Sequence, residues 1–138
     1  MATLIRRNKL FFNHLRQLHR STDGSSVPIY SFNTEKKAFL DVLPEVINSV
    51  VTDPKLAKVP EAGSWIKKLL EYMLGGGKLG RGLMVSVGYR MFEAPNNYSE
   101  ETQHSARVLG WCTEMMQATF LILDDIVDGG KMRRGKPC

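Results

Sequence analysis

The 138-residue sequence contains only two cysteines, and no apolar run in it approaches the length of a membrane span. A bilayer-spanning helix needs about 20 consecutive apolar residues, so we expect no stable membrane insertion. Cys112 and Cys138 provide neither a disulfide framework nor the ligand spacing of a zinc site. Alternating strand patterns and hairpin turns are also missing. The length excludes a large multidomain enzyme and suffices for one domain with a core.

Acidic residues are absent from residues 1–22, which hold five of the 19 lysines and arginines. These five account for the whole net charge of +5, because the other 14 basic residues balance 14 acidic ones. A basic surface suited to nucleic acid is therefore confined to this arm. Neither interleaved aromatics nor a base-reading motif accompanies it, so we expect no nucleic-acid partner.

The basic arm, residues 1–30, has the pattern of an amphipathic helix. Polar residues recur there at steps of three and four, namely Arg6, Lys9, Asn13, Arg16 and Arg20. A separate apolar face gathers Leu4, Phe11, Leu15 and Leu18. An arginine-rich, acid-free N-terminus followed by a stretch rich in serine and glycine is typical of a mitochondrial transit peptide. We therefore expect a mitochondrial location. A disordered basic extension on a cytoplasmic protein is the alternative.

Residues 31–138 show the apolar spacing of helices almost throughout. Four helices are expected: one capped by Thr34, one from Ser64 to the glycines at 75–77, one over about 81–92, and one from Ser99 to about Asp128. The last is unusually long for a chain of this size. The predicted fold class is all-α.

Three carboxylates lie together at the end of the long helix. Asp124 and Asp128 are four residues apart and share one helix face, and Asp125 flanks them. Neighbouring carboxylates repel one another unless a cation lies between them. Mg²⁺ prefers a few carboxylate oxygens and keeps its other positions for water or substrate phosphates. Because apolar residues surround the cluster, we predict a site for a magnesium diphosphate; a solvated helix end is the alternative.

Two cationic groups accompany the carboxylates. Arg133 and Arg134 begin five residues after Asp128, and paired guanidinium groups suit a bridging phosphate oxyanion. Lys78 and Arg81, three apart at a helix start, can point together at an anion. The glycine run before them is not a nucleotide P-loop, because the required residue order and a preceding strand are both missing. A simple helix cap is the alternative for that run.

Taken in order, these motifs resemble the farnesyl diphosphate synthase family of short-chain trans-prenyltransferases. The resemblance covers about residues 34–138 and excludes the basic arm. Its motifs are Gly-Gly-Lys78-x-x-Arg81-Gly, then Leu109-Gly-Trp-Cys-x-Glu-x-x-Gln117-Ala-x-Phe120-Leu, then Asp124-Asp-Ile-x-Asp128, and finally Arg133-Arg134-Gly-x-Pro-Cys. Several linked motifs are far more specific than any one of them.

The resemblance implies the helical isoprenoid-synthase fold around a central cavity, in a homodimeric enzyme. Such an enzyme joins an allylic diphosphate, dimethylallyl or geranyl diphosphate, to isopentenyl diphosphate. The implied product is a short-chain prenyl diphosphate, farnesyl diphosphate, for isoprenoid biosynthesis. The implied partners are therefore small-molecule prenyl diphosphates.

The resemblance also implies roles for individual residues. Asp124 and Asp128, with Asp125 assisting, would hold Mg²⁺, or Mn²⁺ in its place, on the allylic diphosphate. Arg133 would contact the same diphosphate. The residues implied for isopentenyl diphosphate are Lys78, Arg81, Gln117 and Arg134.

Two neighbouring residues bear on product length. Phe120 lies four residues before Asp124, about one helical turn of 5.4 Å pitch deeper in the helix, where it would form the floor of the pocket for the growing chain. Thr119 stands where farnesyl-producing animal members usually have an aromatic residue. The smaller side chain suggests a wider pocket, so longer or branched products are a hypothesis and the product length stays open.

Members of this family are well over twice as long and carry a second aspartate-rich motif on a later helix. We therefore interpret residues 31–138 as the N-terminal part of a prenyltransferase domain, truncated after the first aspartate-rich motif, and expect no catalysis from the 138 residues alone. The alternative is a non-catalytic helical protein that binds diphosphates or pairs with the full-length enzyme. Truncation would also expose an apolar face of residues 99–128 that is prone to association.

Overall fold

The computed structural model describes residues 32–94 and 96–138, so the predicted basic arm lies outside the described residues. Within them, five helices follow one another: α1 (Phe32–Val51), α2 (Pro54–Ala57), α3 (Pro60–Leu74), α4 (Gly80–Phe92) and α5 (Glu100–Asp128). A short antiparallel hairpin of β1 (Met132–Arg133) and β2 (Lys136–Pro137) follows α5. The predicted all-α fold class is confirmed. None of the described helices has both the length and the apolar character needed to cross a membrane.

Prolines and glycines set several of the helix boundaries. Pro54 and Pro60 lie in the first turns of α2 and α3, where a missing N–H leaves no helix hydrogen bond unmade. The prediction that Ser64 opens the second helix is wrong, because α3 already begins at Pro60. Thr34 likewise lies inside α1 and does not cap it. The predicted stop is confirmed, since Gly75 caps the C-terminus of α3.

The long helix α5 has 29 residues and the predicted bounds. At its start the N–H of Thr102 donates to Ser99 Oγ at 3.1 Å, and the N–H of Ser99 donates to Thr102 Oγ1 at 3.0 Å. This reciprocal capping box satisfies two backbone donors and fixes where the helix begins. Gly129, with a φ of 61°, ends it in the left-handed conformation that favours glycine. Both ends of the helix that carries the aspartates are thus defined locally.

α4 and α5 cross at two glycines. A Cβ on Gly110 would lie 2.6 Å from the carbonyl oxygen of Gly82, and a Cβ on Gly82 would lie 2.8 Å from the carbonyl oxygen of Gly110. The ring of Phe39, from α1, stacks 4.5 Å from that of Trp111, and both side chains are fully buried. Trp111 Nε1 donates to the carbonyl oxygen of Phe39 at 2.8 Å. The core therefore joins α1, α4 and α5 around this crossing.

A buried ion pair also joins α1 to α4 and α5. Glu35 is 3% exposed, and Arg107 donates to its two carboxylate oxygens at 2.9 and 2.8 Å. Ser86 Oγ and Gln103 Nε2 donate to the same carboxylate. Burial alone raises the pKa of Glu35, but these hydrogen bonds and the charge of Arg107 together outweigh burial, so the pKa is lowered.

We expect Glu35→Gln to lower the free energy of unfolding by about 3 kcal/mol at neutral pH, because it removes the negative charge facing a mostly buried guanidinium group. Since the folded-state pKa of Glu35 is lowered, the ionised carboxyl stabilises the fold at pH values above the ordinary pKa of a glutamate side chain, about 4.3. That stability is lost as the pH falls through the folded-state pKa. Urea unfolding should therefore show a deficit in the variant that shrinks in acid.

The matched control for Glu35→Gln is Glu45→Gln. Glu45 is an exposed carboxylate whose Oε1 lies 3.1 Å from His104 Nε2. Exposed ion pairs contribute about 0 to 1 kcal/mol, so this change should have little effect. A deficit of equal size in both variants, or one that does not depend on pH, would contradict the assignment.

An apolar stripe of α5 is exposed. Its members recur at steps of three, four and seven, and they are 59, 57, 54, 52 and 83% exposed: Leu109, Met116, Phe120, Leu123 and Val127. This spacing places them on one face of the helix. The exposed apolar face expected for residues 99–128 is thus present, and its tendency to associate stays a prediction.

Candidate functional site

The hairpin after α5 is the structural element that the sequence analysis missed. Arg134 and Gly135 form its turn, with φ values of 52° and 75°. Positive φ at both central residues is the mark of a type I′ turn, which suits the twist of two short strands. Glycine adopts this conformation readily, whereas an arginine there is uncommon and is held by other contacts. The expectation that hairpin turns are missing is therefore wrong for this one turn.

Arg133 is held against the end of α5. Its Nε and an NH2 nitrogen donate to the two carboxylate oxygens of Asp125 at 2.6 and 2.8 Å. The backbone folds back there, and the N–H of Gly130 donates to the carbonyl oxygen of Asp125 at 2.8 Å. The hydrogen bonds from Arg133 hold the pKa of Asp125 below its usual range, and the same pairing raises the pKa of Arg133. Two residues predicted to serve the allylic diphosphate thus contact each other directly.

Asp124 and Asp128 lie in the last turns of α5, and both are exposed. Among the described residues, no group of three or more histidine, cysteine, aspartate or glutamate side chains is placed to hold a metal ion. Mg²⁺ is commonly bound through one or two carboxylates together with water and substrate phosphates. Two exposed carboxylates on one helix face fit that mode. The donor set therefore suits Mg²⁺ bound jointly with a diphosphate and does not form a closed protein cage.

Arg134 reaches back to the end of α3. Its NH1 nitrogen donates to the carbonyl oxygen of Gly76 at 2.7 Å and contacts that of Met73 at 3.5 Å. Gly77 has a φ of 102°, and a Cβ there would lie 2.6 Å from the same NH1 nitrogen. Glycine is therefore required at position 77 by the backbone and by the guanidinium group beside it. The glycines at 75–77 therefore end α3 and also accommodate the guanidinium group of Arg134.

A cavity of about 610 Å³ is lined by α3, α5 and the hairpin. Its charged lining residues include Asp125, Arg133, Arg134 and Lys136. Its apolar lining comes from the two helices and includes Leu69, Met73, Ile122 and Ile126. The volume lies in the range of small-molecule sites, which combine apolar walls with a few convergent polar groups. The lining suits a ligand with an anionic head and a hydrocarbon tail.

The four residues predicted to bind isopentenyl diphosphate form two separate pairs in the structure. Gln117 and Arg134 line one small recess, together with Gly76. Lys78 precedes α4 and Arg81 lies in its first turn, and both are exposed. Neither of these two lines the 610 Å³ cavity. The described fold thus brings two of the four predicted ligands together.

The two residues predicted to set product length are exposed on α5. Thr119 Oγ1 donates to the carbonyl oxygen of Met115 at 3.1 Å, within its own helix. Phe120 is 54% exposed and belongs to the apolar stripe of α5. Neither residue lines the 610 Å³ cavity, and their role stays a prediction.

Three further residues support the site, and sequence reasoning gave no role to two of them. Tyr72 donates its hydroxyl hydrogen to the carbonyl oxygen of Pro137 at 2.6 Å, and Lys136 Nζ lies 5.2 Å from the centre of the Tyr72 ring. The bond from Tyr72 to Pro137 joins residues 65 positions apart, and no local sequence pattern predicts contacts over such a separation. Glu114, whose role the sequence left open, accepts a hydrogen bond from the N–H of Gly82 at 2.8 Å. It is a polar contact within the core that fixes the first turn of α4.

The described residues form a helical fold in which Asp125, Arg133 and Arg134 line a cavity with largely apolar walls, and the sequence comparisons specify the family. Residues 63–138 match the family model for polyprenyl synthetase. The chain belongs to the polyprenyl synthetase family, and the resemblance found in its motifs is confirmed.

Curated relatives of the chain include several plant farnesyl pyrophosphate synthases. The chain is 36% identical over 126 residues to farnesyl pyrophosphate synthase 1, mitochondrial, from Arabidopsis thaliana, covering 91% of this chain and 33% of that protein. It is 39% identical over 103 residues to farnesyl pyrophosphate synthase 2 from the same plant, covering 75% of this chain and 30% of that protein. Farnesyl pyrophosphate synthase 2 from Parthenium argentatum is 40% identical over 103 residues, with the same coverage of 75% and 30%. The chain spans about a third of the length of these relatives.

Proposed function

We propose that the protein acts in a magnesium-dependent prenyl transfer of the farnesyl diphosphate synthase type. In this reaction an allylic diphosphate, dimethylallyl or geranyl diphosphate, condenses with isopentenyl diphosphate to give a short-chain prenyl diphosphate, farnesyl diphosphate. One observation carries the proposal: Arg133, Arg134 and Asp125 converge on a cavity whose remaining walls are largely apolar. The family membership and the names of the relatives support it.

Different residues are proposed to bind the allylic diphosphate and isopentenyl diphosphate. Asp124 and Asp128 would hold Mg²⁺ with the allylic diphosphate, and the metal would neutralise charge on the departing group. Arg133 would add a fixed positive charge at the same place. When substrate covers them, the apolar walls of α3 and α5 would keep water away from an allylic cation until the second alkene attacks it and a proton is lost. Lys78, Arg81, Gln117 and Arg134 would bind isopentenyl diphosphate.

We assign to this chain the half of the site that contains the first aspartate-rich motif. The matched residues make up 33% and 30% of the two Arabidopsis relatives, and the family resemblance adds a second aspartate-rich motif outside these residues. The 138 residues alone are therefore expected to bind a diphosphate without turning it over. The resemblance further supports a homodimeric enzyme.

We also propose that residues 1–30 direct the protein to mitochondria. The support is their arginine-rich, acid-free composition and the word "mitochondrial" in the name of one relative. A cytoplasmic location is the alternative. Fractionation of source tissue with an antibody to residues 34–128 separates the two.

The proposed reaction is tested on the native polypeptide captured with an antibody to residues 34–128. The captured protein is incubated with geranyl diphosphate, radiolabelled isopentenyl diphosphate and Mg²⁺, and the product is identified by chromatography. We expect a labelled prenyl diphosphate that disappears when EDTA replaces Mg²⁺. The recombinant 138-residue chain should give none. Absence of product from the native polypeptide, or product formation in EDTA, would contradict the proposal.

A further inference from the structure

We propose that Tyr72 is a positioning residue of the diphosphate site, because its hydroxyl group anchors the hairpin that carries Arg133 and Arg134 across the cavity. The inference rests on the proposed function, since it takes a magnesium diphosphate as the ligand. Tyr72 itself belongs to none of the motifs on which that function depends.

The anchor has two parts. The Tyr72 hydroxyl donates to the carbonyl oxygen of Pro137 at 2.6 Å, which fixes the backbone of β2 to α3. The ammonium group of Lys136 lies 5.2 Å from the centre of the Tyr72 ring, within range of a cation–π interaction. Since β2 pairs with β1 through Arg133 and Lys136, holding β2 also holds the strand of Arg133. One side chain of α3 thus contributes an anchor for the whole hairpin.

Two other attachments of the hairpin run through the arginines themselves. Arg133 is bonded to the carboxylate of Asp125, and Arg134 is bonded to the carbonyl oxygen of Gly76. A diphosphate offers the same guanidinium groups stronger, bidentate acceptors, so its arrival competes with both attachments. The Tyr72 bond to Pro137 involves neither guanidinium group. It is therefore an attachment that the arginines leave intact when they exchange partners.

Because the Tyr72 anchor already orders the hairpin, the free energy of ligand binding includes less of the entropic cost of ordering this segment. Without the hydroxyl group, the hairpin that carries the two arginines would be less ordered, and diphosphate binding would have to order it. A net hydrogen bond of ordinary strength corresponds to a change in Kd of about 5-fold. We expect Tyr72→Phe to weaken binding by about that factor.

The test compares Tyr72→Phe with Tyr98→Phe in the 138-residue chain. Tyr98 also donates a single hydrogen bond, to Glu100 at 2.8 Å, and lies outside the hairpin and the cavity lining. Each chain is titrated with inorganic pyrophosphate in Mg²⁺ by calorimetry. Amide hydrogen exchange of residues 131–138 is measured without ligand. We expect weaker binding and faster exchange in Tyr72→Phe, and wild-type values for both in Tyr98→Phe.

The two readouts separate a positioning role from a merely structural one. Faster exchange with unchanged affinity would overturn the proposal, because the hydroxyl would then stabilise the hairpin without serving the ligand. Unchanged exchange would overturn it as well. If the wild-type chain binds no pyrophosphate, the proposed function fails and the positioning role fails with it, whereas binding that is equal in the wild type and in Tyr72→Phe overturns the positioning role alone. Tyr72→Phe keeps the half-exposed ring, and exchange in α5 verifies that the variant is folded.

Discussion

Gly110→Ala is expected to lower the free energy of unfolding by about 3 kcal/mol. The added methyl group would lie 2.6 Å from the carbonyl oxygen of Gly82 and 2.7 Å from the ring of Phe39. The carbonyl belongs to the backbone of α4, so the two helices must separate to relieve the contact. Overpacking of a close contact typically costs about 1 to 3 kcal/mol, and here it strains the centre of the core.

Gly88→Ala is the matched control for this prediction. Gly88 also lies inside a helix, and a Cβ there would meet nothing within 4 Å. Alanine is the better helix former, so this change should stabilise the fold by about 0.5 to 1 kcal/mol. Urea unfolding followed by circular dichroism measures both. A neutral or stabilising Gly110→Ala would show that α4 and α5 do not cross as closely as described.

Asp124→Asn and Asp128→Asn are each expected to weaken metal binding in the presence of pyrophosphate by roughly 10- to 100-fold. Each change removes one of the two charged ligands proposed for the ion while keeping the size of the side chain. Loss of one charged partner is worth about 1.5 to 3 kcal/mol, which corresponds to that range of affinity. Binding of Mn²⁺, followed by its electron paramagnetic resonance signal, measures the effect directly.

Two further variants sharpen the metal prediction. Asp41→Asn removes an exposed carboxylate from α1, on a different helix from the proposed metal ligands, and should leave Mn²⁺ binding unchanged. Asp125→Asn should give a smaller loss than Asp124→Asn, because the Asp125 carboxylate is bonded to Arg133. Equal losses at positions 124, 125 and 41 would indicate a general effect of net charge instead of a metal site.

Helix content and the long helix could be predicted from the sequence because local signals define them. Ser99 caps α5 and Gly129 ends it, and apolar residues recur at helical spacing between them. The predicted start of α3 at Ser64 is four residues too late, because proline is a favoured first helical residue and the helix begins at Pro60. Local chemistry thus gave the right element and the wrong boundary.

The site could be predicted only as a set of residue types. The carboxylates and arginines could be predicted as site residues because their spacing in the sequence is local. Which carboxylate pairs with which arginine could not be predicted. Arg133 contacts Asp125 because the glycines at 129 and 130 turn the chain back, and Arg134 reaches the end of α3 across 58 residues of sequence. Tyr72 contacts Pro137 across 65 residues. Contacts of this kind depend on the packing of α3 against α5, which no periodicity encodes.

We propose that the end of α5 and the hairpin form half of a magnesium diphosphate site. The most direct test is a calorimetric titration of the 138-residue chain with inorganic pyrophosphate, with Mg²⁺ present and with Mg²⁺ replaced by EDTA. We predict saturable binding that requires Mg²⁺ and is lost in the double variant Asp124→Asn, Asp128→Asn. Binding that is equally strong in EDTA, or no binding in either condition, would contradict the account.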